Sequence, residues 1–206
     1  MNWQELRDFQ FMTHVDNVPG ILKDGIRSHN GMDGKPHVSV ADSDVQARRA
    51  AVKVPNGRPL HQYANVYFHA RNPMLYRILN TRGVCDLVIV TIGKEVAHMP
   101  NAIMTDRNAA TDLVQFAPSP DGLAVLDAER VYSRSWPSPD PIEAARNFNA
   151  KFAELLVPDV IPRDQLKGLT VPCKHAAKRL ADLGVPAGRL QTSYDLFFSR
   201  GCPSGS

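Results

Sequence analysis

The stretch YANVYFHARNPMLYRILN, residues 63–80, constrains the fold more than any other part of the chain. ANVYFHA alternates apolar and polar residues as a half-buried β-strand does. Asn72 and Pro73 follow at once: a good N-cap, then a proline at the first helical position, where its missing N–H costs nothing. Met74, Leu75, Ile78 and Leu79 recur at helical spacing to form a buried stripe, and Gly83 supplies a stop. The chain must therefore accommodate a strand that runs straight into a capped helix. What has to be decided is whether that junction is a working site or the scaffold for one.

The remaining sequence mixes strands and helices without regular βαβ alternation. FQFMT (9–13) has the content of a short strand. Asp16 can cap a helix with Val18, Ile21 and Leu22 on one face, ended by Gly25 as a left-handed residue. Residues 28–44 read as a surface loop. SDVQARRAAVKV (43–54) reads as a helix capped by Ser43 that stops before the turn PNGRP. DLVIVTI (86–92) is predicted to be a central strand and NAIMT (101–105) a shorter one.

Residues 106–140 are rich in Asp, Asn, Ser and Pro, with one short helical possibility near 123–129. So long a weakly structured segment inside a compact domain is usually functional. Asp140-Pro141 starts another capped helix, with Ile142, Ala145, Phe148 and Phe152 on its inner face. ELLVPDVIP then turns extended, and GLTVP, a helix over 175–183 and the strand-like QTSYDLFF complete the chain. The order implies class α+β. The length of 206 residues suits a single domain over residues 1–206, with a polar tail from about 200.

Composition bounds function more loosely. Lys and Arg number 24 against 21 Asp and Glu, a net charge of +3 that is compatible with a nucleic-acid partner without requiring one. Cys85, Cys173 and Cys202 lie far apart without CxxC spacing. They give neither a disulfide framework nor a zinc site, as expected in a reducing cytosol. MNWQELRDFQ lacks the regions of a signal peptide, and the longest apolar run, LVIVTI, is too short to span a bilayer. A soluble cytoplasmic protein without a membrane role is expected.

No P-loop, GxGxxG, HExxH or GxSxG occurs, the seven histidines show no metal-ligand spacing, and no metal is expected. Two charged features remain. Arg49, in the pair Arg48-Arg49, reads by pattern alone as part of a solvated basic face. Glu154 reads by pattern as a last-turn glutamate, yet a lone carboxylate opening an apolar strand is where an active site often places an acid or base.

Five blocks carry a resemblance. FMTHVDNVPGILKDGI (11–26), SVADSDVQARRAAVKVP (39–55), LHQYANVYFHARNPMLY (60–76), MTDRNA (104–109) and AELLVPDVIP (153–162) resemble, in that order, the DarT family of DNA ADP-ribosyltransferases, the toxins of toxin–antitoxin pairs. The similarity covers roughly residues 9–198. It implies an ADP-ribosyltransferase fold, a split and bent β-sheet with helices around a cleft that takes NAD as ADP-ribose donor. Phe11, Met12 and Thr13 match the block that holds NAD, and Gly20 and Ser28 match two further cofactor-contacting positions. Residues 36–54 match an NAD-binding element whose functional arginine is Arg49. Residues 105–154 match the loop that presents the nucleic acid, and Glu154 matches the catalytic glutamate. Phe11 stands where relatives often carry His or Arg, and Asn108 where some carry His.

The resemblance thus implies transfer of ADP-ribose to a base of single-stranded DNA, thymine first and guanine second, with a macrodomain-type antitoxin as partner. The alternatives are the same chemistry on RNA, a free nucleotide or protein, and a non-catalytic nucleic-acid-binding domain. No catalytic residue of the family falls in the block 63–80. It reads as scaffold, with Arg71 a candidate phosphate contact.

Overall fold

The computed structural model describes residues 1–200, so Cys202 and the tail after Arg200 lie outside the described residues. In chain order the strands are β1 (Phe9–His14), β2 (Ile26–Arg27), β3 (Tyr63–Tyr67), β4 (Leu87–Ile92), β5 (Ile103–Thr105), β6 (Phe116–Pro118), β7 (Glu154–Pro158), β8 (Val160–Ile161), β9 (Leu166–Val171) and β10 (Leu190–Thr192). The helices are α1 (Val18–Asp24), α2 (Ser43–Ala50), α3 (Pro73–Thr81), α4 (Ala128–Tyr132), α5 (Pro141–Ala150) and α6 (Lys174–Asp182). Eight strands form one sheet in the order β10-β9-β4-β1-β3-β7-β5-β6, and β2 pairs with β8 apart from it. Within the large sheet only β9 and β10 run parallel, which makes it mixed and the class α+β, as expected.

Alternation along each strand sends side chains to two different cores. Val66, Phe68, Val88, Val90, Ile92, Leu155 and Val157 enter the main core on one face. Tyr67, Leu87, Ile89 and Met12 join a second cluster on the other face, where Tyr63 and Leu156 join a third. β3 is therefore buried on both faces, not half-buried. Its tyrosines read as polar in the sequence, but their rings pack like hydrophobic residues.

The sheet is also split. β1 pairs with β4 along its whole length, from Phe9↔Ile92 to His14↔Leu87, but meets β3 at the single pair Gln10↔Tyr67. From Phe11 onward β1 and β3 diverge, so the β1 backbone edge that faces β3 has no ladder partner there.

Local signals held where the hydrogen bond was local. The Asn72 side chain caps α3 by accepting from the Leu75 N–H at 2.9 Å. Asp140 caps α5 through the Ile142 N–H at 2.9 Å. Gly25 has φ 82° and ends α1, and a Cβ there would collide with the Ile161 carbonyl.

Other expectations need correction. Asp16 does not cap α1, because its carboxylate pairs with Arg179 at 2.8 Å. Asp42 rather than Ser43 caps α2. That helix ends at Ala50, since Val52 and Val54 exchange backbone bonds with Leu60 and Arg58 in a tight hairpin. Gly83 does follow the end of α3, but with φ −62° rather than in a left-handed conformation. On α5, Ile142 is 64 % exposed and Phe148 42 %, because the helix packs on α4 rather than on the sheet. Arg130 ties the two helices through Glu143 and Asn147, each at 2.7 Å. Only Leu190–Thr192 of the last stretch is strand. The segment 106–140 is better ordered than its composition suggested, with β6, a 3-10 turn at Asp121–Val125 and α4.

The cysteines also depart from expectation, for Cys85 and Cys173 are disulfide-bonded. Sequence spacing could not reveal this. The antiparallel pairing of β4 with β9 (Ile89↔Thr170) brings residues just before β4 and just after β9 to one end of the sheet.

Candidate active site

Glu154 is the first residue of β7, and two neighbouring strands align on it. Tyr67 of β3 and Thr105 of β5 are both its register partners. Cross-strand partners share a face, so these three side chains form a row between the second and third apolar clusters. The Glu154 N–H donates to Thr105 Oγ1 at 3.2 Å, and that hydroxyl donates in turn to the Arg107 carbonyl at 2.7 Å. The carboxylate is completely buried.

A buried carboxylate needs partners. Arg49, in the last turn of α2 and 5 % exposed, supplies the main one. Its Nη1 donates to both Oε1 and Oε2 of Glu154 at 3.0 Å each. The Ala109 N–H adds a third bond to Oε1 at 3.3 Å. Arg49 spends one nitrogen on the pair, so Nε and Nη2 make no protein hydrogen bond among the described residues. Arg49 is thus no member of a solvated basic face. Arg48, its neighbour, is exposed.

Tyr67 and the Ala109 N–H were missed in the sequence. Burial, and next the negative charge of Glu154, raise the Tyr67 phenol above its ordinary pKa, so it stays a neutral donor. Its hydroxyl donates to Met74 Sδ at 2.8 Å. The block 63–80 therefore lends the site a side chain and is not scaffold alone. Arg71, by contrast, is held by the protein itself. It donates to the carbonyls of Arg134 (3.0 Å) and Asp195 (2.5 Å) and stacks on Phe198. His29 and His61 stack at 4.0 Å beside this region, and burial, then His29 and Arg49, lower the His61 pKa.

Of the residues expected around a cofactor, Phe11, Met12 and Thr13 lie on β1 where it parts from β3. Met12 is on the Tyr67 face, whereas Phe11 packs against the main core and Thr13 accepts from Asn17 Nδ2 at 3.0 Å. The Asn17 amide also exchanges two 2.8 Å bonds with the Val38 backbone, docking the loop before α2 onto β1. Gly20 lies in α1 with nothing within 4 Å of an added Cβ. Ser28 is buried, and its Oγ accepts from the Gly31 N–H at 3.1 Å. The structure joins Arg49 and Glu154 directly. Phe11, Met12, Thr13, Gly20 and Ser28 make no hydrogen bond to either of them among the described residues.

A cavity of about 500 Å³ opens between the 106–131 region and α5, lined by Arg107, Arg130, Arg146 and apolar residues such as Leu126 and Ile142. Arg49 and Glu154 are not among its walls. No group of three or more potential metal ligands occurs among the described residues. No helix there is long and apolar enough to cross a membrane.

The sequence profile of a family described as DarT, ssDNA thymidine ADP-ribosyltransferase, matches residues 11–193. The chain belongs to the DarT family. Among DarT relatives, a DNA ADP-ribosyl transferase of Thermus sp. (strain 2.9) is 32 % identical over 73 % of this chain and 74 % of its own length. A DNA ADP-ribosyl transferase–DNA ADP-ribosyl glycohydrolase fusion protein of Thermosipho africanus is 36 % identical over 53 % of this chain, a match that spans only 29 % of the fusion. The structure of Thermus sp. 2.9 DarT in complex with ADP-ribosylated ssDNA superposes with a TM-score of 0.80 at 25 % identity, covering 95 % of this chain and 98 % of that one. The same DarT in complex with NAD+ superposes at 0.76, also at 25 % identity. The expected ADP-ribosyltransferase fold is therefore the fold observed.

Proposed function

We propose that the chain transfers ADP-ribose from NAD to a thymine of single-stranded DNA and releases nicotinamide. The observation that carries this reading is the buried Arg49–Glu154 pair, set on the row Tyr67–Glu154–Thr105 in a DarT-family chain. The described residues act in this reading as one catalytic domain.

Four features suit a bound dinucleotide. The β1 edge at Phe11–Thr13 offers unladdered backbone groups, and Gly20 leaves room for close approach. Ser28 brings a buried hydroxyl, and Arg49 has two free nitrogens for a phosphate or a ribose hydroxyl. When bound, the donor supplies an electrophilic ribose carbon whose bond to nicotinamide breaks with developing positive charge.

The chain's own residues do the rest. The Glu154 carboxylate faces that charge in a dry site, where a fixed negative group stabilises it strongly. Glu154 also takes the proton that the attacking thymine N3 must lose, since an unperturbed N3–H is a poor nucleophile. Arg49 holds both carboxylate oxygens and keeps them oriented until the donor ribose claims them. The Ala109 N–H links the carboxylate to the segment that presents the acceptor.

In a duplex the thymine N3 is hidden in the base pair, so a single strand is the natural substrate. In this reading the chain acts in the cytoplasm as the toxin of a pair, with a macrodomain-type DNA ADP-ribosyl glycohydrolase as its antagonist. The deciding experiment incubates the protein and NAD with oligonucleotides that each vary one base, and reads the products by mass spectrometry. An ADP-ribose adduct that follows thymine supports the reading. An adduct that follows guanine changes the base, and no adduct on any DNA overturns it.

A further inference from the structure

Alone among the lysines of the described residues, Lys151 is buried, at 2 % exposed. Its Nζ donates to the carbonyls of Val131 (2.8 Å) and Ser133 (2.7 Å) and lies 2.9 Å from His69 Nδ1. Three neighbours match the three donors of an ammonium. The two carbonyls belong to the last turn and the C-cap of α4, groups that a short helix leaves unpaired, and a cation there also complements the negative end of the helix. Yet among the described residues no carboxylate is bonded to Lys151. The charges that act on the Lys151–His69 pair from neighbouring elements are Arg71 and Arg7. A buried cation without a counterion is costly, and packing alone would be served better by an apolar side chain.

Its place in the fold suggests what the cost maintains. Lys151 is the C-cap of α5, three residues before Glu154. His69 follows Tyr67, the register partner of Glu154, by two residues. The clamp thus closes the end of the β3–β7 ladder that carries the carboxylate, and it seizes the returning limb of the 106–140 segment.

We propose that Lys151 is a positioning residue of the transfer reaction: its hold on the Val131 and Ser133 carbonyls fixes the acceptor-presenting segment against the strand of Glu154. This rests on the reading of that segment as the acceptor side. The clamp survives a change of protonation. An ammonium donates to all three neighbours, whereas a neutral amine still donates to both carbonyls and accepts from a His69 Nδ1–H. Burial, then Arg71, pushes Lys151 down to about 7, so both forms are populated near neutrality.

The test compares wild type with Lys151→Met in three measurements: NAD affinity by calorimetry, transfer to a thymine-containing single strand, and amide hydrogen exchange. Lys151→Met is expected to bind NAD within twofold of wild type, to transfer at least tenfold more slowly, and to exchange faster over residues 106–133. Transfer within twofold of wild type overturns the proposal. So does a loss of NAD affinity in step with transfer, which marks a purely structural role. If Lys151→Met does not fold, His69→Leu removes one of the three neighbours. A smaller transfer loss at unchanged NAD affinity is then expected, and unchanged transfer overturns the idea. A wild-type protein that modifies no DNA sinks the functional reading instead, whatever the variants do.

Discussion

One nitrogen of Arg49 serves both oxygens of Glu154, at 3.0 Å each, in a place where Glu154 has no exposure to water. The arginine and the carboxylate therefore stand or fall together, and separating them has different consequences for chemistry and for stability.

For chemistry, Glu154→Gln preserves volume and one acceptor but removes the negative charge and the base. Transfer is expected to fall on the order of 10²- to 10⁴-fold, the usual loss for a catalytic acid or base. Single-turnover labelling of a thymine oligonucleotide with the folded variant checks this. Activity within tenfold of wild type would refute the role.

For stability, Arg49→Ala leaves a buried carboxylate with only the Ala109 N–H as partner. Breaking a buried pair from one side costs about 3–5 kcal/mol, whereas removing both partners is far milder. Arg49→Ala is thus expected to melt well below Arg49→Ala/Glu154→Ala. Denaturant titrations in which the double variant proves the less stable would contradict this.

The Lys151–His69 clamp makes a pH prediction. Burial depresses Lys151 from 10.5 to about 7, and burial with the Lys151 charge depresses His69 from 6.5 to about 4. Between pH 7 and 10.5 the unfolded chain holds a proton on the lysine that the folded chain lacks. Between pH 4 and 6.5 the same is true of the histidine. Stability must rise with pH across both windows, by at most about 1.4 kcal/mol per pH unit for each group. Lys151→Met is expected to flatten the upper window and His69→Leu the lower one, as read from unfolding free energies at stepped pH. Unchanged slopes in both variants would show that the two groups titrate normally.

For the acceptor, binding of a single strand through basic side chains releases counterions, so affinity is expected to fall steeply as salt rises. A matched duplex is expected to react poorly, because extruding a paired base costs a few kcal/mol that an unpaired base avoids. Matched single strand, duplex and RNA, assayed side by side over a salt series, provide the check. Equal labelling of duplex and single strand would overturn the single-strand preference while leaving the transferase reaction intact.

How much of this could be read in the chain follows from the range of each interaction. The Asn72 cap joins residues three apart, and the sequence displayed it plainly. β1, β4 and β7 announced themselves through their own apolar runs. Glu154 stood out by position, and the family resemblance gave it and Arg49 a shared purpose. Their pairing stayed hidden, because it joins residues 105 positions apart. Tyr67 and the Ala109 N–H were invisible for the same reason, since only the registers of β3 and β5 against β7 bring them to the carboxylate. Nothing local marks Lys151 as a lysine that will be enclosed.

The double register at Glu154 has one more consequence. Thr105 and Glu154 are paired neighbours, so the excursion between them, which adds β6 to the sheet's edge on its way, starts and ends at the same point. That excursion is a cassette with a fixed clasp. Doubling the length of a flexible loop adds only about 0.6 kcal/mol to its closure, so residues added at its exposed turns burden the clasp little. Throughout, the carboxylate keeps its place on β7 and its arginine on α2. The two ends of the cassette are thereby fixed to the residue they serve, whatever lies between them.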